Sequence, residues 1–401
     1  MSFSITLSKE VAARVAEGRP IIGIEELQNT DGLEPGRPVR LLDSQGRDAV
    51  ASGLADPENE IIRVLSRDPN AKFDAAFFRR RVEAAVALRR ELGLIGTTSC
   101  RVIHSEGDWL SGFTSDLFCG ADGTPDFAVL YVYSRALVEH GRLVAQSLLE
   151  VLKLRGVVLK VRPKGGAASG QVKQEIIGET PEEKRIGVES GVPYEIHLLG
   201  GMNVGLFTDM REHRRGLHRF AAGRRVLNCF SYTGAISVTA AKAGAKSVTS
   251  VDLSSGVLKW AAENFRLSGF SPDSPKYKFE VSDVGRFLER TGETDDKYDL
   301  VILDPPTFSK ARASGWSIHN DYGDLIASAI QVLSPGGILW ISANTVREQR
   351  LGKYLDEGLK QAGKSAQILE LGGLPPDYPT LPGYPEGRYL EVCLSRIASG
   401  R

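Results

Sequence analysis

Hydrophobic and polar positions divide the first half of the chain into two stretches with different patterns. Residues 1–69 hold short alternating runs separated by turn-forming residues, which predicts a small β-rich module. Residues 70–190 show helical periodicity over 74–92 and about 134–153. The strand-like runs in this second stretch are 100–104, 127–132 and 157–161. Helices mixed with strands in this way predict an α+β central domain.

Strand-like and helical segments alternate over residues 191–401. The predicted strands are 225–228, 247–252, 277–281, 300–304 and 337–342, and the predicted helices are 235–243, 256–268 and 322–333. Such alternation predicts a Rossmann-like, doubly wound α/β domain. The chain is thus predicted to be α/β, with this domain following the two smaller ones.

Two of the predicted strands run into loops rich in small, polar or proline residues. One reads Val226-Leu-Asn-Cys-Phe-Ser-Tyr-Thr-Gly234, and the other reads Asp299-Leu-Val-Ile-Leu-Asp-Pro-Pro-Thr-Phe-Ser309. Both begin as apolar runs typical of buried parallel strands. Since ligands of open α/β sheets bind outside the carboxyl ends of the strands, both loops are predicted to border a binding site.

The first loop favours a polar or anionic group, because the N–H groups at the start of the next helix lack partners. Gly234 permits close approach of the backbone, and Ser231 and Thr233 are predicted to cap the helix. Asp252 ends the next strand and could accept hydrogen bonds from two ribose hydroxyls. Asp283 could accept one from an adenine amino group. The alternatives are that both aspartates are ordinary helix N-caps, or that the cofactor is a nicotinamide, which the missing GxGxxG disfavours.

In the second loop, Asp304-Pro-Pro-Thr-Phe308, the prolines predict a rigid turn that presents the Asp304 carboxylate and the Pro305 carbonyl. These oxygens could accept hydrogen bonds from a base edge while Phe308 stacks on the base. The alternative is a turn that merely ends a strand. Upstream, Asp209 and Arg211 could close over the cofactor, with the arginine contacting its carboxylate. For Arg215, His218 and Arg219 in the same tract, a solvated basic helix is the alternative.

Composition limits the classes of function. Lys plus Arg and Asp plus Glu are both 50 among 401 residues, so any nucleic-acid surface must be a local patch. The four cysteines lack metal-ligand spacing and are few, which predicts no metal site and a reducing compartment. The first residues do not resemble a signal peptide, and no run of eighteen apolar residues occurs. We therefore expect a cytoplasmic protein without a membrane span.

Several segments resemble the bacterial 23S rRNA methyltransferases of the large-subunit methyltransferase I type. They are GLFTDMREHR at 205–214, VLNCFSYTGA at 226–235, SVDLS at 250–254, DPPTFSK at 304–310 and YPEGRY at 384–389. The resemblance implies a PUA-like module over 1–69, a central domain over 70–190 and a methyltransferase domain over 191–401. It further implies S-adenosylmethionine (SAM) as cofactor, RNA as partner and a possible homodimer.

At the matching positions the resemblance also implies site residues. The cofactor set is Phe207, Asp209, Arg211, Asn228, Phe230, Ser231, Tyr232, Thr233, Gly234, Asp252, Leu253, Asp283 and Asp304. The catalytic set is Asp304, Pro305 and Asn344, and the substrate-binding set is Pro306, Phe308, Arg214 and Tyr384. Methyl transfer chiefly requires in-line alignment of the reacting atoms, so positioning residues are expected to dominate.

One departure from the family bears on the substrate. Cytosine-C5 members carry a nucleophilic cysteine after their fifth strand, where this chain has Ala343 in Trp340-Ile-Ser-Ala-Asn-Thr345. The segment 342–344, with DPPTFS and Trp260-Ala-Ala-Glu-Asn264, looks more like the related guanine-N7 enzymes. Guanine is therefore favoured. The alternatives are cytosine C5, a small-molecule or protein substrate, and RNA binding without catalysis.

Contacts to RNA phosphates are predicted at local clusters of basic residues. They are Lys160, Arg162, Lys164 and Lys173 around a glycine-containing loop, and Arg214, Arg215 and Arg219 beside the cleft. A solvated charged face is the alternative for each. Up to Asp68 the N-terminal module is more acidic than basic, so it is not predicted to clamp RNA.

Overall fold

The computed structural model describes residues 3–27, 30, 32–120, 122–163, 173–309, 316–344 and 351–398, without the side chains of residues 308, 309 and 316. The chain folds into two compact units. Unit 1 comprises residues 1–191, 196–204 and 376–387, and unit 2 comprises residues 192–195, 205–375 and 388–401. Among the described residues, no helix combines the length and apolar composition needed to cross a membrane.

The first part of the chain forms twelve strands and three α-helices among the described residues. In chain order they are β1 (Phe3–Thr6), α1 (Lys9–Ala16), β2 (Ile21–Gly23), β3 (Pro38–Leu42), β4 (Ala49–Asp56), β5 (Ile61–Ser66), α2 (Ala75–Glu91), β6 (Cys100–His104), β7 (Phe113–Cys119), β8 (Pro125–Val132), α3 (Val138–Leu152), β9 (Gly156–Val161), β10 (Lys173–Gly178), β11 (Arg185–Glu189) and β12 (Val192–Ile196). One sheet has the order β1-β3-β4-β5-β2. The other has the order β10-β9-β8-β7-β11-β12, and β6 pairs with β7.

Helix α2 shows why the predicted 74–92 helix forms. Asp74 caps it by accepting a hydrogen bond from the Phe77 N–H at 2.9 Å. Phe78, Val82 and Val86 recur at helical spacing and are fully buried in the hydrophobic core that α2 and α3 share with the second sheet. The prediction of this helix is confirmed.

The remaining elements build unit 2. They are α4 (Arg211–Gly216), α5 (His218–Ala221), β13 (Arg225–Cys229), α6 (Ala235–Lys242), β14 (Ser247–Asp252), α7 (Ser255–Leu267), β15 (Tyr277–Val281), α8 (Val284–Gly292), β16 (Tyr298–Leu303), β17 (Phe308–Ser309), β18 (Trp316–Ser317), α9 (Ile318–Gln331), β19 (Leu333–Asn344), α10 (Leu351–Ala362), β20 (Ala366–Gly372) and β21 (Leu390–Ile397). The sheet order is β15-β14-β13-β16-β19-β21-β20. Strands β13 to β16 and β19 are parallel, and β21 runs antiparallel to β19 and β20. The doubly wound prediction is confirmed.

The strand order fixes where this sheet can bind a ligand. From β13 the chain first adds strands on one side, as β14 and β15, and then on the other, as β16 and β19. A crevice therefore opens at the carboxyl ends of β13 and β16, where the direction of winding reverses. Both predicted loops begin at these two strand ends.

Two features of the C-terminal part of the chain differ from the expectation. Leu333, predicted to end a helix, begins β19. Residues 376–387 belong to unit 1 rather than continuing the C-terminal domain. The reason is a buried polar network. Arg89 forms a bidentate ion pair with Asp108 and donates to the Asp377 carbonyl at 2.6 Å. The Asp377 carboxylate accepts the Arg101 N–H at 2.9 Å, which ties this late segment to β6.

Candidate active site

The loop after β13 has an unusual backbone. Phe230, Tyr232 and Gly234 all have left-handed φ angles, of 57°, 48° and 74°. An aromatic residue in this region costs of order 1–3 kcal/mol, and such strain concentrates at functional sites. The loop is held in place by the Ser231 N–H, which donates to the Val251 carbonyl, and by the Tyr232 N–H, which donates to Asp252 Oδ2 at 2.9 Å.

The prediction that Ser231 and Thr233 cap α6 is wrong. Left-handed Gly234 occupies the N-cap position, and no side chain there bonds the helix. The Thr233 hydroxyl instead donates to the Gly205 carbonyl at 2.6 Å. Ser231 is buried, and its hydroxyl has no hydrogen-bond partner among the described residues. The left-handed turns point these side chains away from the helix end.

Two side chains of α7 stabilise the loop and the neighbouring backbone by hydrogen bonds. The buried Asn264 amide donates to the Thr233 carbonyl and accepts the Glu195 N–H, both at 2.8 Å. The Trp260 indole donates to the Glu195 carbonyl at 2.9 Å. Only a glycine fits at Gly205, because a Cβ there would lie 2.3 Å from the Trp260 ring and φ is +115°. In the sequence, only the family resemblance drew attention to Trp260, Asn264 and Gly205.

Asp252 and Asp283 lie at or just past the ends of β14 and β15 and differ in their bonding. Asp252 accepts the Tyr232 N–H through Oδ2 and the Ser254 N–H through Oδ1, at 2.9 and 3.0 Å. Each oxygen thus keeps a lone pair for a further donor. Asp283 caps α8 by accepting the Arg286 N–H, so the N-cap alternative is confirmed for it. Its predicted contact with adenine stays a prediction.

Apolar side chains are exposed beside these carboxylates. Phe207, Leu253 and Val281 are 46%, 50% and 57% exposed. The Phe207 ring lies 5.3 Å from that of Tyr232, and Val281 lies opposite Asp252 in the register of β14 and β15. Exposed apolar surface next to carboxylate acceptors suits a nucleoside, with its flat base and hydroxylated sugar. Val281 was missed, because its alternating strand gave no sign of which residue would lie at the edge.

Asp304 follows β16 on the other side of the crevice. The hydroxyl of the fully buried Ser342, on β19, donates to Asp304 Oδ1 at 2.5 Å. Burial, together with the negative charge of Asp209, raises the pKa of Asp304 to about 6. The Ser342 hydrogen bond and the positive charge of Arg214 act in the opposite direction. A carboxyl group with such a pKa can be either acceptor or proton donor near neutral pH.

Tyr322 holds the strand ends beneath Asp304. The hydroxyl of this fully buried side chain on α9 shares its one hydrogen between the Leu303 and Ser342 carbonyls, at 3.2 and 2.7 Å. Since Leu303 ends β16 and Ser342 lies on β19, one hydroxyl ties the two neighbouring strands together. Neither Ser342 nor Tyr322 was predicted as part of the site, because their contacts run across strands that are distant in sequence.

The tract before β13 contributes charge close to Asp304. Asp209 accepts a hydrogen bond from the Tyr389 hydroxyl at 3.0 Å. Arg211 and Arg214 are 2% and 3% exposed, and Arg214 donates to the Phe207 carbonyl at 2.7 Å. Tyr389 belongs to the YPEGRY segment but was not assigned a role from sequence.

The other predicted catalytic and substrate residues have mixed surroundings. Pro305 is buried and Pro306 exposed, while Asn344 is exposed at the end of β19, where its carbonyl accepts the Thr307 hydroxyl at 2.9 Å. The Phe308 side chain lies outside the described residues, and Tyr384 belongs to unit 1. Their substrate roles stay predictions.

The residues predicted to contact RNA phosphates differ in their burial and in their ion pairs. The prediction for Lys160 is wrong, because this residue is fully buried and donates to the Gly200 and Gly201 carbonyls at 3.0 and 2.6 Å. Arg215 and Arg219 are exposed but pair with Glu212 and Glu370. Arg162 and Lys173 are exposed, and Lys164 lies outside the described residues.

The crevice fits SAM, which the family resemblance implies as cofactor. Asn228 Oδ1 and Ser231 Oγ are buried without a hydrogen-bond partner among the described residues, so the strained loop has unused polar atoms. Carboxylates at the strand ends suit ribose hydroxyls, and the exposed apolar side chains suit an adenine ring. Asp304 lies across the crevice, where a reacting group would be positioned.

Comparison with known proteins agrees with this chemistry. A family profile described as "S-adenosylmethionine-dependent methyltransferase" matches residues 129–385, and one described as "PUA-like domain" matches residues 5–67. The ribosomal RNA large subunit methyltransferase I of Tolumonas auensis is 31% identical over 99% of this chain and 100% of its own. The enzyme of the same name from Aeromonas hydrophila is 33% identical with the same coverage.

Solved structures share the fold along nearly the whole chain. A SAM-dependent methyltransferase from Streptococcus mutans superimposes with a TM-score of 0.84 at 22% identity, covering 98% of this chain and all of that one. A methyltransferase solved in complex with S-adenosylhomocysteine (SAH) gives a TM-score of 0.85, also at 22% identity, covering 99% and 100%.

Proposed function

The chain belongs to the family of S-adenosylmethionine-dependent methyltransferases, and on that premise we propose that it methylates a guanine base of 23S ribosomal RNA. Support for RNA as the substrate comes from relatives named ribosomal RNA large subunit methyltransferase I, which align with almost the whole chain at 30–33% identity. A PUA-like domain in the same chain is consistent with an RNA partner. A cytoplasmic location and a homodimer stay predictions.

When bound, SAM supplies an electrophilic methyl group on a sulfonium sulfur. We assign the sugar to Asp252, the adenine to the apolar side chains of Phe207, Leu253 and Val281, and the methionine end to the loop at 228–234. Asp252 serves two purposes, because the same carboxylate fixes the strained Tyr232 backbone and keeps lone pairs for the ribose. Cofactor binding thus depends on a loop that is ordered beforehand.

The observation that carries the choice of guanine is the absence of an available thiol. Ala343 is 1% exposed in the position of the family's nucleophile, and all four cysteines are buried. Burial raises the pKa of Cys119 and of Cys393 to about 11, and it raises the pKa of Cys229 as well. A thiol that stays protonated cannot attack C6 of a pyrimidine. Guanine N7 needs no such attack, because its own lone pair accepts the methyl group.

Asp304 gives this site a means of orienting the base. Above pH 6 its carboxylate is ionised and can accept hydrogen bonds from the N–H groups of guanine, while the Ser342 hydroxyl fixes its orientation. Since methyl transfer requires in-line alignment more than acid–base chemistry, an acceptor held by two neighbouring strands supplies what the reaction needs.

The test is a nucleoside analysis of methylated RNA. In vitro transcribed 23S rRNA is incubated with the full chain and methyl-labelled SAM, digested to nucleosides and separated by mass spectrometry. We expect the label in a methylated guanosine, with 7-methylguanosine first among the candidates. Label only in 5-methylcytidine would overturn the guanine assignment. No label in rRNA, with SAH binding intact, would overturn RNA as the substrate.

A further inference from the structure

Unit 1 contains a polar cavity that is not part of the methyltransferase crevice. Its volume is about 510 Å³, within the range of roughly 300–1,000 Å³ that is typical of ligand sites. It lies between the end of β5, the segment that follows and the first turns of α2. Its lining includes three cations, Lys72, Arg80 and Arg81. Of the lining, only Ser66 lies within the PUA-like match at 5–67.

Among the described residues, these cations lack the ion pairs with carboxylates that other arginines of this chain form. Within the described part of the chain, neither Lys72, Arg80 nor Arg81 forms an ion pair. Arg79, on the same helix, pairs with Glu83 at 3.0 Å and with Glu150 at 2.6 Å. Burial and the charge of Arg80 lower the pKa of Arg81, as expected where like charges are held together.

Trp109 places two guanidinium groups at this end of α2. The guanidinium carbons of Arg67 and Arg81 lie 5.8 and 6.0 Å from the Trp109 ring centroid, which allows cation–π attraction. Arg81 also donates to the Leu65 carbonyl at 3.0 Å. Trp109 itself has a left-handed φ of 56°, a strained conformation for a bulky residue. Arg67 and Arg81 are therefore held in place, while Lys72 and Arg80 are exposed.

Two carboxylates also border the cavity, and both are engaged by backbone N–H groups. Asp68 accepts the Asn70 N–H at 2.9 Å, and Asp74 accepts the Phe77 N–H at 2.9 Å as the cap of α2. The three cations of the lining therefore outnumber its two carboxylates. The start of the 17-residue helix α2 adds its own partial positive charge.

We propose that this cavity binds the phosphate backbone of the RNA substrate, with Lys72 and Arg80 contacting phosphates and Trp109 positioning Arg67 and Arg81. The inference rests on the proposed RNA substrate and adds a second contact surface, on unit 1, whose lining shares no residue with the methyl-transfer crevice. A polyanion fits best, because the lining offers separate cations and polar side chains rather than an apolar pocket. Backbone contacts carry no base sequence, so this surface supplies affinity while the crevice selects the base.

The test measures binding of the full chain to in vitro transcribed 23S rRNA over a series of salt concentrations. Lys72→Gln and Arg80→Gln change two exposed side chains, and each is expected to lower the slope of log K against log salt by about 0.7–0.9. The double variant lowers the slope by about twice that amount and raises the KM for rRNA, while kcat and SAH affinity stay at the wild-type level. Arg80→Lys keeps the positive charge, so its slope is expected to equal that of the wild type.

Arg79→Gln is the matched control, since it removes one positive charge from the same helix outside the cavity. Its slope is expected to equal that of the wild type, and equal melting temperatures establish that all variants are folded. Wild-type slope and KM in the Lys72 and Arg80 variants would overturn this proposal while leaving RNA methylation standing. Equal losses in Arg79→Gln would also overturn it, because the effect would then be one of net charge. Failure of the wild-type chain to methylate rRNA would instead count against the proposed function.

Discussion

Asp304 shows at the scale of a single residue how a carboxylate that we propose to act in the reaction conflicts with stability. Burial and the neighbouring Asp209 raise the pKa of Asp304 to about 6, so the folded protein holds this proton more tightly than the unfolded chain does. The free energy of unfolding must therefore fall as the pH rises from about 4 to about 6, and it stays lower above that. The chain thus keeps a partly buried charge at a cost in stability, and the benefit that we propose for it lies in the reaction.

The Asp304→Asn variant separates the two effects. At pH 8 we expect its free energy of unfolding to exceed that of the wild type by about 1–3 kcal/mol, a difference that disappears below pH 4. Methyl transfer is expected to fall by about 10²–10³-fold, because the ionised acceptor is lost. Urea unfolding at several pH values and single-turnover methylation check this. A wild-type rate that does not decline below pH 6 would contradict the role of the ionised form.

A second prediction at this scale concerns Asp252. Its carboxylate fixes a strained backbone and keeps the acceptors that we assign to the cofactor sugar. Asp252→Ala releases the Tyr232 and Ser254 N–H groups, so we expect SAH affinity to fall at least about a hundredfold. Asp252→Asn keeps one acceptor and is expected to bind with intermediate affinity. Titration calorimetry with SAH measures both. Asp273→Asn, at an exposed position before β15, is the control and should bind like the wild type.

At the scale of elements, Tyr322 on α9 connects β16 and β19 at the sheet edge where we propose that the reaction occurs. Tyr322→Phe removes the hydroxyl that donates to the Leu303 and Ser342 carbonyls, at an expected cost of about 1–3 kcal/mol. Because Ser342 in turn orients Asp304, we expect kcat to fall while SAH affinity is retained.

Tyr298→Phe is the matched control for this prediction. Tyr298 begins β16, at the end opposite Leu303, and its hydroxyl donates to the Thr249 hydroxyl at 3.3 Å. Its loss should lower stability without lowering kcat. Denaturant unfolding and steady-state methylation distinguish the two variants, and equal losses of kcat would show that strand-end position does not matter.

The sequence predicts an element of this sheet well where burial of apolar side chains alone determines it. Strands β13 and β16 could be predicted because each buries a nearly apolar run and then ends in a polar loop, and this also located Asp304. Strand β14 has only two valines among six residues, and its place in the alternation of strands and helices located Asp252. Strand β7 was missed, since Thr114, Ser115 and Asp116 break its apolar pattern although all are buried. Asp116 is compensated by an ion pair with Arg101 at 2.8 Å. Ser342, Tyr322 and Tyr389 were missed because their roles arise from partners distant in sequence.

At the scale of the whole molecule, the two units are not consecutive pieces of the chain. Residues 376–387 lie after most of unit 2 in sequence but belong to unit 1. No periodicity predicts such an arrangement, because its cause is a set of single polar contacts. The buried Arg89 requires acceptors, and the Asp108 carboxylate and the Asp377 carbonyl supply them.

Asp377→Ala tests this arrangement. Asp377 is fully buried, and its carboxylate accepts the Arg101 N–H, so its loss leaves a buried donor unpaired at a cost of about 1–3 kcal/mol. Although the substitution lies late in the sequence, we expect hydrogen–deuterium exchange to rise in α2 and β6 and to stay unchanged in β13–β16, with SAH affinity retained. Asp356→Ala, exposed on α10, should leave exchange in α2 and β6 unchanged. Faster exchange confined to β13–β16 would contradict the assignment of residues 376–387 to unit 1, because the lost contact would then support the other unit.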